Sequence, residues 1–586
     1  MNFDIVADYF EQIEGVSSRL EITRILADLL RSATPEEASI LCNFSQGQLN
    51  PPHIGSQFNL AEKSVIKAVA LLTGTSVHGI EQQVKKVGDI GLVVASYQTR
   101  ANAYTARYSV VQRTVQQVYD ALQELEVVSG AGSQEKKQDI LVNILASVSP
   151  LSGKYIVRII LDTLRLGFSD MTLIDALSWM YAGDKSLRTV IEHAYNICAD
   201  LGFIALLLKQ KGIEALERMH IQVGIPIRPA SAERLPSAAA IINKLGESVA
   251  QPKLDGFRVQ IHLDKRDQKA EIHFFSRSLQ DISYMFPDLK DAIISLPATT
   301  CIIEGEVICY DADSGTFLPF QETAKRKRKH DIEQIARDLP LKLFIFDLLY
   351  QDGTSFLSRT HAQRRSALKK LCASHESSVL QVIDQITVST TKELNDYFLE
   401  MVAAGLEGVM VKRSDAPYQA GKRNFNWIKY KRQESGSLED TIDCVIMGYY
   451  AGSGKRASFG IGAFLVGIFN PERDVFETIA KIGTGLKDAG WRDLKKQCDM
   501  LVTERKPRNS VCSKNLTPDV WVYPEIVCCV RADEITLSPV HTAGKTEHKL
   551  GYALRFPRIM GYREDKSAQE ATTVEEIDRL YEDQFK

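Results

Sequence analysis

The feature that most constrains the fold is a change of pattern at the segment GIPIRPASAERLPS, residues 224–237. Its prolines and small polar residues break the periodicity of the chain, as in a linker between domains. Up to about residue 220, apolar side chains recur at helical spacing, as in AEKSVIKAVALLTG, where Ile66, Val69 and Ala70 share one face. After the linker, short runs such as KAEIHFFSRS and LKLFIFDLLY are rich in branched and aromatic residues and indicate strands. We therefore predict an all-α region followed by a mixed, mainly antiparallel region.

A second boundary is predicted near QESGSLED, residues 433–440. The stretches beyond it, such as TIDCVIMGYYAGSGKRASFGIGAFLVGIF, alternate short strands with glycine-rich turns. That pattern favours a small β-barrel such as an OB-fold. The multidomain fold predicted is an all-α domain at 1–220, an α+β domain at 221–433 and an OB-fold β-barrel at 434–586.

Composition excludes several classes of protein. The cysteines are scattered without a CxxC pair, which argues against a zinc ribbon or a disulfide framework and predicts a cytoplasmic protein. No apolar run is long enough to cross a bilayer. The net charge is −3, so any site for a polyanion must be a local patch. The basic run AKRKRKH, with consecutive basic residues at 325–329, is by itself most simply a solvated loop.

The stretch QPKLDGFRVQIH, residues 251–262, places a lysine at the mouth of a strand. From Phe257 onward apolar and polar residues alternate, and Lys253 and Gly256 stand just before that strand. A lysine becomes a nucleophile when partial burial or a neighbouring cation helps it to lose a proton. The pattern KxDG is short, and in isolation a surface turn with an incidental ion pair is the favoured explanation.

Three further runs carry charged residues inside apolar strands. IIEGEVIC holds Glu304 and Glu306 with the same side-chain direction, and EGVMVK holds Glu407 and Lys412. NWIKYK places its tryptophan and two lysines at period 2 on one face. Mutual ion pairs are one explanation, because buried charges need partners. The functional alternative is a site for a nucleoside triphosphate with a divalent cation, since Glu oxygens suit Mg²⁺ and basic side chains suit phosphates.

Taken in order, these runs resemble the motifs of the covalent nucleotidyltransferases, specifically the ATP-dependent DNA ligases. The motifs are KLDG (253–256), FSRS (275–278), EGEV (304–307), FIFDLL (344–349), EGVMVK (407–412), WIKYK (427–431) and LRFPRIMGYREDK (554–566). In addition, SPLSGKYIVRIILDTLRLG is similar to the helical DNA-binding domain of the archaeal and eukaryotic replicative type. The resemblance covers nearly the whole chain and makes 1–220 the DNA-binding domain and 221–433 the adenylation domain.

The resemblance implies an enzyme that seals nicks in double-stranded DNA during replication, recombination and repair. Lys253 would attack ATP and hold AMP, which would then activate the 5′-phosphate at a nick for attack by the 3′-hydroxyl. The resemblance also implies a role for each matching residue: ribose contacts for Arg258 and Glu306, a nucleotide or DNA phosphate contact for Arg277, and phosphate contacts for Arg423, Lys429 and Lys431. Phe346 would stack on adenine, although for a lone Phe plain core packing is the alternative.

The remaining implied roles concern metal, pyrophosphate and base. Glu306 and Glu407 would contact Mg²⁺, while Arg555 and Arg558 would help to orient pyrophosphate. Many relatives have Glu two residues before the nucleophile, near the adenine, where this chain has Gln251. If the family's contact there is through the backbone, the change matters little, and if it is through the side chain, a Gln can still accept a hydrogen bond through its amide oxygen. The sequence therefore leaves the choice of nucleotide open.

Other readings of the same motifs stay open at the level of sequence. An RNA ligase or a capping-type nucleotidyltransferase shares the lysine chemistry, and a DNA-binding scaffold without catalysis is a different class. An NAD-dependent ligase is disfavoured because the cysteine clusters of its zinc module are absent. The expected partner is nicked double-stranded DNA bound by a monomer, with the basic run as a contact to its backbone. A sliding clamp is a further candidate partner, although the chain has no convincing copy of the usual clamp-binding peptide.

Overall fold

A computed structural model describes most of the chain. The described residues are 1–16, 18–97, 112–130, 132–164, 166–235, 237–310, 317–318, 323, 325–327, 332–373, 375, 377–431, 441–452, 454–503 and 505–584. They form two compact units, one made of Met1–Ala68 with Ala103–Arg432 and the other of Val69–Asn102 with Gln433–Lys586. The predicted boundary at 433–440 lies outside the described residues. Within the described ranges, no helix combines the length and the apolarity that crossing a bilayer requires.

The part of the chain before residue 220 is helical, as predicted. Its helices are α1 (Phe3–Gly15), α2 (Arg19–Ser32), α3 (Pro35–Ser45), α4 (Glu62–Thr73), α5 (Val77–Val87), α6 (Ile90–Ser96), α7 (Val115–Val127), α8 (Ser133–Ala146), α9 (Pro150–Ile160), α10 (Asp170–Ala182), α11 (Arg188–Ile197), α12 (Leu201–Lys211) and α13 (Ile213–Glu217). Local sequence starts several of them: Thr34 and Glu37 form a capping box around Pro35 at the beginning of α3.

Helix α9 contains most of the stretch that resembles the DNA-binding domain. Its Lys154 is buried and donates to Glu11 at 2.5 Å and to Glu14 at 2.7 Å, both on α1. Arg158, one turn later, also pairs with Glu14. These basic side chains therefore join two helices of the region, because burying them without acidic partners would be costly.

The central region holds two sheets joined by helices. The first sheet has the order β1-β11-β10-β2-β9 and the second the order β4-β3-β5-β6-β7, with β8 paired to β6. The strands are β1 (Ser231–Arg234), β2 (Ser248–Pro252), β3 (Phe257–Asp264), β4 (Glu271–Ser276), β5 (Thr300–Cys309), β6 (Leu341–Gln351), β7 (Thr354–Ser355), β8 (Leu380–Val382), β9 (Ile386–Val388), β10 (Gly408–Lys412) and β11 (Arg423–Lys431). The helices are α14 (Ala238–Leu245), α15 (Lys290–Ile294), α16 (Ile332–Asp338), α17 (His361–Cys372) and α18 (Thr391–Ala403).

One short link in this region positions the site. The first sheet ends β2 at Pro252 and the second begins β3 at Phe257, so residues 253–256 join the two sheets. Most pairings within these two sheets are antiparallel, and the exceptions among their described strands are β1 with β11 and β6 with β8. An apolar cluster that includes Leu254 and Phe346 lies where the sheets meet.

The basic run at 325–329 differs in part from the solvated loop predicted for it. Arg326 is 2% exposed, and it donates to Asp288 at 2.6 Å and lies 3.4 Å from the carbonyl oxygen of Met285. This guanidinium therefore faces inward, while residues 328–330 lie outside the described part of the chain.

The C-terminal region is rich in strands, as predicted, but a closed barrel is not seen. One sheet contains β12 (Ile442–Tyr450), β13 (Ala463–Asn470), β14 (Val475–Ile482), β15 (Val502–Thr503), β16 (Ser510–Val511), β17 (Val520–Val522), β18 (Val527–Arg531) and β21 (Arg558–Tyr562). A separate ribbon pairs β19 (Glu534–Ser538) with β20 (Gly551–Arg555), and the helices are α19 (Asp488–Asp499) and α20 (Val574–Asp583). Within the described strands, the main path runs from β15 to β16 without closing on itself.

Candidate active site

A cavity of about 800 Å³ lies beside the link between the two sheets of the central region. Its size is that of an ordinary small-molecule site. The predicted residues that line it are Gln251, Lys253, Arg258, Arg277, Glu306, Phe346 and Lys429, with Met410, Lys412 and Trp427 beside them. Residues such as Gln251 and Lys429, more than 170 positions apart in the chain, therefore line the same cavity.

Lys253 lies in the part of the cavity that is lined by basic side chains, among them Arg277 and Lys429. We call this the cationic part. Its backbone N–H donates to the carbonyl oxygen of Gly408 at 2.9 Å, which fixes the residue against β10. Its Nζ contacts the carboxylate of Glu407, and Lys431 donates to the same carboxylate at 2.9 Å. Burial alone would raise the pKa of Glu407, but the charges of Lys253 and Lys431 outweigh it and hold that pKa below the usual value.

Gly256 allows the link to pass close to β5. A Cβ at this position would lie 2.3 Å from the carbonyl oxygen of Val307, closer than any side chain can be. The Gly256 N–H donates to Glu306 at 3.2 Å. Burial raises the pKa of Glu306 to about 7, although Lys253 and Arg258 act in the opposite direction. Glu306 makes no ion pair with any described residue, so this carboxylate is short of positive charge.

Glu304, two residues earlier on β5, is in the opposite situation. Arg258 donates to both of its oxygens, at 3.0 and 2.9 Å, and Tyr418 donates to one of them at 3.0 Å. Arg258 also donates to the carbonyl oxygen of Ala230 at 2.7 Å, while its Nε is buried without a partner. Of the two explanations for buried charges in this strand, a mutual ion pair accounts for Glu304. Glu306, which has no such pair, is the candidate for contact with a ligand.

Phe346 and its neighbours form the aromatic part of the cavity. The register between β5 and β6 shifts so that Glu304 pairs with Asp347 and Gly305 with Ile345, which leaves Phe346 as the extra residue of a β-bulge. Its ring packs edge-on against Trp427 at 6.1 Å, with Lys412 Nζ 4.6 Å from the ring centroid. The bulge changes the direction of the Phe346 side chain, which lines the cavity. A regular alternation of side chains along β6 would not predict this direction.

Five basic side chains lie together at the cationic part. Burial lowers the pKa of Lys429, and the positive charges of Lys431, Arg423, Arg277 and Lys253 lower it further. Among the described residues, Arg277, Arg423 and Lys429 have no carboxylate within ion-pair distance. Mutual repulsion of this kind is relieved by a polyanion, which gives the cationic part the character of a phosphate site.

Two residues that we did not assign to the site from the sequence also contribute. Lys412 is 2% exposed, and burial lowers its pKa to about 7. Behind Phe346, the buried Asp347 accepts from Arg364 at 2.7 and 3.0 Å. The end of the run EGVMVK pointed to Lys412, but no local pattern pairs Asp347 with Arg364, which lies on α17.

The carboxylates present fit a Mg²⁺ ion. The described residues include no group of three or more His, Cys, Asp and Glu side chains placed so that they could hold a metal ion. Glu306, with its raised pKa and no ion pair, and Glu407, held between two lysines, are oxygen donors whose charge a cation would stabilise. Mg²⁺ commonly binds one or two carboxylates and takes its other ligands from water and substrate phosphates. Glu306 and Glu407 would hold it here.

Arg555 and Arg558 lie at the turn between β20 and β21 of the C-terminal unit. Both are exposed, and they pair at long range with Glu534 at 3.6 Å and Asp533 at 3.5 Å. Between them Phe556 is 69% exposed and has a backbone φ of +49°. The turn that carries both arginines is therefore exposed to solvent rather than part of the core.

Comparison with known proteins identifies the family to which the chain belongs. Three family descriptions match the chain in order: "DNA ligase N terminus" at 2–178, "ATP dependent DNA ligase domain" at 229–431 and "ATP dependent DNA ligase C terminal region" at 457–566. The chain belongs to the ATP-dependent DNA ligase family.

Individual relatives extend over the full length. A probable DNA ligase of Dictyoglomus thermophilum is 44% identical over 100% of this chain and 98% of its own length. The DNA ligase of Sulfolobus acidocaldarius is 36% identical, again over 100% of this chain and 98% of its own. A solved structure titled "Pmar-Lig_PreS3" shares the fold with a TM-score of 0.54 at 17% identity, covering 95% of this chain and 99% of that one.

Proposed function

We propose that this ligase seals nicks in double-stranded DNA through an AMP group carried on Lys253. One observation carries the proposal: the Lys253 amine lies in a cavity that offers aromatic side chains on one part and unpaired cations on another. An adenine ring and a triphosphate require those two surfaces together. ATP is therefore the nucleotide substrate, and Lys253 the nucleophile.

In the first step, Nζ of Lys253 attacks the α-phosphorus of ATP. An N–P bond forms as the bond from the α-phosphorus to the bridging oxygen breaks, and pyrophosphate leaves. Nζ loses its proton to water before it attacks, and Glu407, which contacts Nζ, holds the amine in place. Lys429 and Arg277 stabilise the charge that develops on the phosphate oxygens.

The later steps use the same phosphorus chemistry. The 5′-phosphate at the nick attacks the AMP phosphorus, so that a P–O bond forms, the N–P bond breaks and Lys253 is restored. The 3′-hydroxyl then attacks the 5′-phosphate, joins the strands and releases AMP. Arg258 and Glu306 contact the ribose, Phe346 stacks on the adenine, and Arg423 and Lys431 complete the phosphate contacts. Glu306 and Glu407 would hold Mg²⁺, which would supply positive charge near the phosphates.

The domain arrangement follows the three matched regions. We assign 1–220 to DNA binding, 221–433 to adenylation and 434–586 to a C-terminal domain of OB-fold type. Arg555 and Arg558 of that last domain orient pyrophosphate. Contacts to nicked DNA go mainly to phosphates and so depend little on sequence. The enzyme acts as a monomer in the cytoplasm in replication, recombination and repair, with a sliding clamp as a candidate partner.

The test begins with α-labelled ATP and Mg²⁺ in the absence of DNA. Stable label on the chain, released when nicked DNA is added and sealed, is expected. Lys253→Ala should lose the label but still seal a nick that already carries AMP, because the last step does not use the amine. Lys244→Ala, which removes a lysine outside the cavity, serves as the matched control and should load normally. Label released only by RNA ends, or label retained by Lys253→Ala, would contradict the proposal.

A further inference from the structure

A pair of amides lies at the edge of the aromatic part of the cavity. Gln251 is 1% exposed and lines the cavity, and its Nε2 donates to Oε1 of Gln385 at 3.1 Å. Gln385 stands just before β9, 134 positions further along the chain. No motif of the sequence singled it out.

The backbone explains why these two side chains meet. Strands β2 and β9 are antiparallel, with Val249 opposite Thr387 and Ala250 opposite Ile386. Continuing this register by one step places Gln251 opposite Gln385. Directly opposed residues of an antiparallel pair have neighbouring side chains. On its other side, Gln251 pairs with Met410 of β10, so its position is fixed from both edges.

A carboxamide can present either an acceptor or a donor, unlike the carboxylate that many relatives have at this position. The hydrogen bond to Gln385 engages the NH₂ group of Gln251. Among the described residues, the Gln251 oxygen accepts no hydrogen bond. The bond to Gln385 thus leaves an acceptor, rather than a donor, available to a base in the cavity.

We propose that Gln385 is a positioning residue for base selection, holding the Gln251 amide with its oxygen toward the nucleotide. A 6-aminopurine such as adenine donates a hydrogen bond at this edge, whereas a 6-oxopurine such as guanine presents a second acceptor. The inference rests on the proposed function, because the base must enter this cavity during loading of Lys253. It adds a residue that acts on nucleotide choice through another side chain.

The size of the effect follows from the cost of a mismatched buried polar group. A buried acceptor that faces another acceptor loses its hydrogen bond, which corresponds to discrimination on the order of 10-fold to 100-fold between ATP and GTP. Lys412 and Arg258 also lie near the aromatic ring, so the experiment must separate their effects from that of the amide pair.

The experiment measures kcat/KM for loading of labelled ATP and labelled GTP onto the full-length chain. Gln385→Leu removes the acceptor and frees the Gln251 amide to rotate. We expect the preference for ATP to fall about tenfold, mainly through a higher KM for ATP. Gln385→Glu keeps an acceptor for the Gln251 amide and should keep the preference.

A second background isolates the amide pair. With Gln251→Glu, the side chain at 251 can only accept, so it needs no orienting partner. In that background Gln385→Leu should leave the ATP preference unchanged, whereas damage to the fold or a change at Lys412 would act in both backgrounds. Sealing of a nick that already carries AMP reports the integrity of each variant.

The possible outcomes separate this inference from the proposed function. Absence of loading with every nucleotide overturns both. Normal loading with a preference for GTP shows that the amides are oriented the other way and overturns only the role of Gln385. The role of Gln385 is also overturned if Gln385→Leu reduces the ATP preference equally in the wild-type and Gln251→Glu backgrounds, or if it reduces it in neither.

Discussion

The two parts of the cavity treat charge in opposite ways. Around the aromatic part, the guanidiniums are matched: Arg258 by Glu304, and Arg364 by Asp347. At the cationic part, Lys253 and Lys431 share the carboxylate of Glu407, but Arg277 and Lys429 have no acidic partner among the described residues. The paired arginines stabilise the fold through their acidic partners within the protein. The unpaired basic side chains are the ones that can bind the negative charges of a substrate.

The largest expected effect concerns a matched charge. Asp347→Ala leaves Arg364 fully buried without its partner, which should cost about 3–5 kcal/mol of unfolding free energy. Chemical denaturation followed by circular dichroism measures the loss. Lys392→Ala, which removes one member of an exposed pair with Asp396, is the matched control and should leave the midpoint unchanged. An unchanged midpoint for Asp347→Ala would show that the pairing does not stabilise the fold.

The next effect concerns an unmatched charge. Lys429→Ala should slow loading of AMP by about 10²–10³-fold, because it removes a cation from the developing phosphate charge. Its denaturation midpoint should not fall, since no carboxylate loses a partner. Lys422→Ala, an exposed lysine just before the same strand, is the control. Should Lys429→Ala destabilise the protein while loading stays normal, the distinction between the two parts of the cavity would fail.

A smaller effect is expected at the aromatic ring. Phe346→Leu keeps an apolar side chain but removes the face on which adenine stacks, so the KM for ATP should rise about threefold to tenfold. Phe346→Tyr retains the ring and should stay near the wild-type value. Equal KM values for the leucine and tyrosine variants would indicate that the ring is only core packing.

The last effect is a dependence of stability on pH. The pKa of Glu306 is raised from 4.5 to about 7 in the folded protein, so between those values the folded state holds a proton that the unfolded state has lost. Without metal, stability should therefore fall as the pH rises from about 4.5 to 7. Glu306→Gln should flatten this dependence in thermal melts recorded across the window. Added Mg²⁺, which favours the ionised carboxylate, should also weaken it.

The sequence predicted the residues of the cavity better than their partners. Lys253, Glu306 and Lys429 stand within short motifs whose spacing shows in a single stretch of chain. Their partners come from far away: Tyr418, which helps to hold Glu304, is 114 positions from it. Periodicity describes one strand at a time and contains no information about which distant side chain faces it.

Departures from regular strand geometry were also invisible in the sequence. Alternation along FIFDLL cannot show that Phe346 is an extra residue in a bulge, because the bulge is defined by the register with β5. The strand-rich C-terminal region was predictable from its turns and branched residues. Closure of its sheet was not, because closure depends on pairing between strands that are distant along the chain.

The link at residues 253–256 makes the nucleophile part of the seam between two sheets. Four residues span at most about 14 Å even when fully extended, and Gly256 is pressed against Val307 of the second sheet. The seam therefore acts as a short tether. Lys253 can move little relative to either sheet, so a nucleotide has to be positioned at the lysine rather than the lysine at the nucleotide.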